Sequence, residues 1–243
     1  MRTFGLIGFP IGHSFSQKYF SEKFKRANIS DAEFKNFPLE NINDFPGLIE
    51  DNSNLLGLSV TIPHKQSVMK FLNAIDSVAS ETGAVNCIKV SETLKGFNTD
   101  VYGFEKSLLP LLKNHHIKAL ILGSGGGAKA VKYVLKKSGI EYMFVSRSQK
   151  PKVKSYHDLN SEIISSHMLI INTTPLGMFP DVGSRPKIPY EHLTEKHLLY
   201  DLVYNPQETL FLKKGKERGA QVKNGLEMLQ LQADKAWEIW NGH

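Results

Sequence analysis

One cysteine, Cys87, stands in a chain of 243 residues, so neither an internal disulfide nor a multi-cysteine metal site can form, and the thiol is expected as a small buried group. Long apolar runs are equally scarce. The longest, "ALIL" at 119–122 and "HMLII" at 167–171, fall far short of the ~18 residues a membrane span needs. The N-terminus also lacks the charged-then-apolar pattern of a secretory signal, which points to a cytoplasmic protein with no membrane partner. Nine histidines are present, yet no helical His pair with an adjacent acid, so no metal is expected. Acid is the minority charge: 24 Asp and Glu against 30 Lys and Arg leave +6, which favours anionic partners. The basic residues are scattered, and the densest group, "KKGKER" at 213–218, suits a helix C-terminus. Small anions such as phosphates and carboxylates are therefore favoured over nucleic acid.

What is present is enough apolar material, 41% of residues, for one large or two small cores. Two textures divide it near Asp100. Up to there, short strands alternate with helices: "RTFGLIG", a helix over 17–27, "EFKNFPL", a helix near 41–51, "LGLSVT", a helix after Pro63, then the strand pair "AVNCIKV" and "TLKGFN". Beyond it come apolar runs, "KALILG", "EYMFV", "HMLIIN" and "HLLYDLV", the pattern of parallel strands buried on both faces. Residues 225–240 read as one helix with a stripe of Leu226, Leu229, Ala233, Trp237 and Trp240, and Gln232 on its flank.

"KALILGSGGGAKAVKYVLKKSG" is a strand, a glycine turn and an amphipathic helix in which Gly123, Gly125 and Ala128 match G-x-G-x-x-G/A. The glycines permit a tight turn and close backbone approach to a pyrophosphate seated at the helix N-terminus. No Lys-Ser or Lys-Thr pair follows, which excludes a P-loop. Where an acid would bind a ribose 2′-hydroxyl, the next strand ends in Ser146, Arg147 and Ser148. A guanidinium there pairs with a 2′-phosphate, so the expected cofactor is NADP rather than NAD.

Two serines, Ser14 and Ser16, lie in "GHSFSQ" at 12–17, one of them suited to cap the helix that follows. Lys65 follows a strand in "SVTIPHK", and Asn98, Thr99 and Asp100 stand at the textural boundary; each also has the plain reading of a solvated lysine, a turn or a cap. Together with "GFPIGHSFS", "VTIPHK", "GAVN", "NTD", "GSGGGA", "NTTPLGM" (172–178), "YDLVYNP" (200–206) and "NGLEML" (224–229), the chain resembles the shikimate dehydrogenase family from end to end. The resemblance implies NADP-dependent, reversible reduction of 3-dehydroshikimate to shikimate in aromatic amino-acid biosynthesis, with Lys65 and Asp100 as the catalytic pair. It implies that Ser14 and Ser16 bind the substrate carboxylate and that Thr61, Asn86, Tyr204 and Gln232 surround the ring. It assigns the cofactor to Gly123, Gly125, Gly126, Gly127, Ala128, Ser146, Arg147, Ser148, Thr173 and Gly225.

The fold so implied is α/β with two domains: a substrate domain, 1–100 completed by the C-terminal helix 221–243, and a Rossmann-type doubly wound domain, 101–220, working as monomer or homodimer. Two hydroxyls suit a carboxylate because they donate hydrogen bonds without adding charge. Against many relatives, Gln17 replaces Pro, Phe20 His, Ser59 Asn, and Val101 a glycine, while Glu227 replaces a small residue. The competing readings are a quinate/shikimate dehydrogenase using NAD, which Arg147 disfavours, a folate-linked methylene dehydrogenase, which the serine loop disfavours, and a nucleotide-sensing binder, which the presence of both Lys65 and Asp100 disfavours.

Overall fold

Apolar residues at every second position set the N-terminal sheet. In the computed structural model, which describes residues 1–12, 15–147 and 153–242, β1 (Arg2–Gly8) turns Phe4 and Leu6 into one apolar cluster and Ile7 into another. That is the alternation of a strand covered on both faces. β2 (Ala32–Pro38) and β3 (Leu55–Val60) flank it in parallel. β5 (Cys87–Val90) and β6 (Leu94–Phe97) continue the sheet antiparallel, and β4 (Ala74–Ile75) closes the order β2-β1-β3-β5-β6-β4.

One face of this sheet is covered by α1 (Phe15–Arg26), which buries Phe20 and Phe24, and by the end of α8 (Leu226–Asn241). Phe20 stacks on Phe34 with ring centroids 4.6 Å apart and is a member of the core. Trp240 occupies space that Gly57 leaves open: a Cβ there would fall 2.3 Å from its Cδ1. Its indole N–H donates to Ile88 O at 3.0 Å. Cys87 lies in the same cluster, and burial pushes its thiol pKa up.

The segment after Pro63 departs from the expected helix. It forms only a 3₁₀ turn, Ser67–Phe71, because Leu72 turns extended. The next N–H groups, of Asn73 and Asp76, donate to Leu94 O and Gly96 O, so pairing with β6 ends the helix. α3 (Ser77–Thr82) follows, capped by Asp76, whose side chain accepts from Ala79 N–H at 2.8 Å. The 41–51 segment is a 3₁₀ turn, Ile42–Asp44, running into α2 (Phe45–Glu50). In α8 the buried stripe is Met228, Gln232, Ala233, Ala236 and Trp240, with Leu226, Leu229 and Trp237 half-buried.

The second sheet is parallel throughout: β7 (Lys118–Leu122), β8 (Glu141–Ser146), β9 (Val153–Ser155), β10 (Leu169–Asn172), β11 (Leu198–Asp201) and β12 (Gln221–Lys223). Its order is β12-β11-β10-β7-β8-β9. This is the doubly wound order, with the strand sequence reversing between β7 and β10, where such folds bind ligands. α5 (Gly126–Lys137) leaves the end of β7, and α6 (Ser161–Ser166) and α7 (Leu210–Lys216) belong to the same unit. The chain separates into one unit of Met1–Tyr102 with Gln232–His243 and a second of Gly103–Leu231. Residues 221–231 thus group with the second sheet, not with the N-terminal residues as expected, because β12 pairs with β11.

Candidate active site

The "NTD" run begins α4 (Thr99–Leu108). Asn98 precedes that helix and caps it, its Oδ1 accepting from Val101 N–H at 3.2 Å. Its own Nδ2 donates to Thr82 Oγ1 at 3.0 Å and Ala84 O at 2.9 Å. The N–H of Thr99 goes to Asn86 Oδ1 at 2.6 Å. Two side-chain amides therefore occupy N–H groups that a helix start leaves unpaired. Asp100 then falls in the first turn, where the helix field favours a carboxylate.

Asn86 is locked by its backbone, since its carbonyl accepts from Val60 N–H at 2.8 Å and its N–H donates to Phe97 O at 3.0 Å. Its buried Nδ2, with two protons, has three acceptors in reach: Asp100 Oδ1 at 2.9 Å, Thr99 Oγ1 at 2.9 Å and Gln232 Oε1 at 3.3 Å. Both ends of this amide are spent inside the protein.

Lys65 sits in the turn after β3, held on both sides. The buried His64 Nε2 bonds to Leu39 O at 2.5 Å, and Lys65 O accepts from Val85 N–H at 2.7 Å. Its ammonium meets Asp100 Oδ2 at 2.6 Å, with the two side chains 20% and 11% exposed. The pair is shielded yet reachable from solvent. Asp100 is the ammonium's partner among the described residues, which leaves two of its three protons for a ligand oxygen.

The structure thus joins Lys65, Asp100, Asn86 and Gln232 in one hydrogen-bonded group. Ser16 and Thr61 belong to the same unit without a hydrogen bond to that group among the described residues. Helix α1 starts at Phe15, so Ser16 lies inside its first turn; Ser14 lies outside the described residues. Gln17 Oε1 accepts from Asn36 Nδ2 at 2.9 Å, tying this segment to β2. Gly8 makes room for Thr61, whose Cγ2 would lie 2.4 Å from a Cβ at that position.

The glycine turn lies in the second unit. Gly123 has φ +108°, a left-handed value, and a Cβ there would fall 2.7 Å from Thr173 Oγ1. Thr173 in turn donates that hydroxyl to Leu122 O at 2.8 Å. Gly125 precedes α5 with no side-chain cap, and a Cβ there would meet nothing within 4 Å. Open space in front of uncapped helix N–H groups fits a dinucleotide phosphate. Gly126 opens α5, Gly127 approaches Leu202 closely, and Ala128 is buried. Ser146 ends β8 and Arg147 follows it, exposed, with no acid at either position; Ser148 lies outside the described residues. At Gly225 a Cβ would fall 2.1 Å from Leu202 O, so chain packing by itself demands glycine there. Tyr204 is half-buried, and burial raises its pKa.

Four residues outside the expected set support this geometry. Asn98 and Thr99 lie inside the quoted "NTD", where a cap was the plain reading and proves right for Asn98. Asn172 and Asp201 lie in "NTTPLGM" and "YDLVYNP" and bond to each other at 2.9 Å. A buried polar residue at a strand end was the available signal. Of the family departures, Val101 is buried and Glu227 pairs with Lys223 at the end of β12.

The family description "Shikimate dehydrogenase substrate binding domain" matches residues 6–88. A relative in Clostridium beijerinckii, named shikimate dehydrogenase (NADP(+)), is 39% identical, covering 99% of this chain and 92% of its own. One of the same name in Caldanaerobacter subterraneus is 36% identical, covering 99% and 92%. The crystal structure of shikimate dehydrogenase from Aquifex aeolicus matches with TM-score 0.88 at 31% identity, over 100% of this chain and 93% of that one. That of the Thermus thermophilus enzyme in complex with NADP(H) and shikimate matches with TM-score 0.88 at 28% identity, over 100% and 94%. With its sheet order, its glycine turn and its Lys65–Asp100 pair, this chain belongs to the shikimate dehydrogenase family.

Proposed function

We propose that this protein is an NADP-dependent shikimate dehydrogenase that reversibly reduces 3-dehydroshikimate to shikimate, a cytoplasmic enzyme working as monomer or homodimer. The observation that carries the reading is the 2.6 Å contact between Lys65 Nζ and Asp100 Oδ2, with Asp100 held on its other oxygen by Asn86. Among the described residues no helix is long and apolar enough to cross a membrane.

Bound NADPH supplies the hydride that reaches the ring carbonyl carbon. The glycine turn, Gly123 to Ala128, with Thr173 behind it and Gly225 nearby in sequence to α8, holds the cofactor's phosphates. Arg147, with Ser146 and Ser148, takes the ribose 2′-phosphate. Lys65 donates a proton to the carbonyl oxygen as charge develops on it, and in the reverse direction accepts the hydroxyl proton. Asp100 keeps the ammonium aimed at that oxygen and steadies its charge, while the Asn86 amide stops the carboxylate from turning. Ser14 and Ser16 donate to the substrate carboxylate, and Thr61, Asn86, Tyr204 and Gln232 line the ring. The unit containing the first sheet serves the substrate, and the unit containing the parallel sheet serves the cofactor.

The test follows reduced-nicotinamide absorbance with purified protein, shikimate, and NADP⁺ or NAD⁺ in parallel. Turnover with NADP⁺ well above NAD⁺ is expected. Turnover with quinate and NAD⁺ instead overturns the substrate and cofactor assignment, and turnover with neither overturns the enzyme reading.

A further inference from the structure

The turn that carries Lys65 has little apolar packing to hold it. Ile62, near its start, is 73% exposed, and residues 61–66 belong to neither a strand nor a helix. Hydrogen bonds fix the turn instead. Thr61 N–H donates to Ile7 O at 2.9 Å, Phe9 N–H to Ile62 O at 3.1 Å and Val85 N–H to Lys65 O at 2.7 Å. These bonds tie the turn to the end of β1 and to the segment before β5, and none of them reaches β2. His64 supplies that tie. It is 3% exposed, and its Nε2 meets Leu39 O, one residue past β2, at 2.5 Å. A carbonyl only accepts, so Nε2 carries the proton. Leu39 is itself anchored, its N–H donating to Gly8 O at 3.0 Å. Burying an imidazole is costly unless it is hydrogen-bonded, and an apolar side chain would fill the space without that cost. The polar ring therefore has a directional use: it sets where the backbone of residue 64 sits, and with it the root of the next side chain.

We propose that His64 is a positioning residue for Lys65: by clamping the turn to Leu39 it holds the root of the lysine stem where the ammonium can meet both Asp100 and the reacting oxygen. This rests on the reading of Lys65 as the proton donor of the proposed dehydrogenase. Lysine is a point charge on a flexible stem, so a contact at its tip does not define where its backbone lies. The 2.6 Å contact with Asp100 fixes the tip, and the His64 ring fixes the root. With the root free to shift, Lys65 keeps Asp100 by changing rotamer while the proton it offers points elsewhere. A misplacement of about 1 Å is enough to cost rate.

The test compares His64→Leu, which fills the space without a donor, with His64→Gln, whose Nε2 lies as many bonds from Cα as the imidazole Nε2 and donates to the same carbonyl. Shikimate and NADP⁺ are the probes. His64→Leu is expected to lower kcat about tenfold and to leave KM for both probes within about threefold. His64→Gln is expected to restore kcat to within about threefold of wild type. The amide of His64→Asn falls one bond short of Leu39 O, so this variant is expected to lose kcat as His64→Leu does, and it decides the matter if His64→Leu fails to fold. His64→Asn is also combined with Lys65→Ala. Because His64 acts through Lys65, its loss in that background is expected to cost less than about twofold further, whereas a general structural role carries its full cost into the double variant. Full kcat in His64→Asn, full additivity with Lys65→Ala, or a fall in His64→Gln as deep as in His64→Asn each overturns the inference. Wild-type protein inert toward shikimate removes the reading of Lys65 and the inference with it, whereas an active wild type whose His64 variants keep full kcat removes the inference alone.

Discussion

At the scale of single residues, Lys65 and Arg147 are separable by what each substitution leaves behind. Lys65→Ala and Asp100→Ala each remove half of a 2.6 Å pair, and kcat is expected to fall about 100-fold or more in each. Lys65→Arg keeps the charge and the ion pair but cannot release a proton near neutral pH. It should therefore lose kcat while KM stays within a few-fold, and a Lys65→Arg enzyme with normal kcat would show that Lys65 only binds. Arg147 is exposed at the end of β8, so its removal should spare the fold. Arg147→Ala is expected to raise KM for NADP⁺ roughly tenfold and leave NAD⁺ kinetics alone, the size of one charge-assisted contact to phosphate. Equal effects on both cofactors would place the arginine away from the 2′-phosphate.

At the scale of elements, a buried carboxylate ties the ends of β10 and β11. Asp201 Oδ1 accepts from Asn172 Nδ2 at 2.9 Å and Val203 N–H at 3.0 Å, and Oδ2 from Thr209 Oγ1 at 2.6 Å. Asn172 passes the tie on, its Oδ1 accepting from Thr174 N–H at 3.0 Å and Thr174 Oγ1 at 2.6 Å. Asp201→Asn turns one acceptor into a donor facing donors, a loss of about 1–3 kcal/mol to be read from urea unfolding. An unchanged midpoint would show that these donors find other partners. How much of this the sequence exposes depends on distance along the chain. β7, the glycine turn and α5 are legible because strand, turn and helix signals are contiguous. The 3₁₀ turn at Ser67–Phe71 is not, because its stop comes from β6, more than twenty residues on. The Asn86–Gln232 contact spans 146 positions, and no local pattern encodes it; only the family resemblance placed both residues at one ring.

At the scale of the whole molecule, three buried groups, His116, His167 and Asp201, make opposed contributions to stability between pH 5 and 7.5. Burial lowers the pKa of His116, and the nearby His115, Lys113 and His197 side chains lower it further against the pull of Lys196 O. Burial likewise lowers that of His167, with Lys118 adding to the effect. Asp201 goes the other way, burial pushing it up to about 7 despite its hydrogen bonds from Thr209, Val203 and Asn172. As pH falls below about 6.5, the unfolded chain protonates both histidines while the native protein resists. That stability is whole above 6.5 and is lost as pH drops toward the depressed native values. Over the same range native Asp201 takes up a proton that the unfolded chain does not, which offsets part of the loss, since its contribution grows as pH falls through 7 toward the unfolded carboxylate value. The wild-type melting temperature between pH 7.5 and 5 follows the balance of these opposed contributions, at roughly 2–4 °C per kcal/mol. Replacing Asp201 by Asn removes the offset, so the variant's melting temperature should drop more steeply with acid than the wild type's. Parallel curves for the two proteins would mean that Asp201 stays ionised throughout, and an Asp201→Asn curve flat across the range would mean that the two histidines titrate alike in both states.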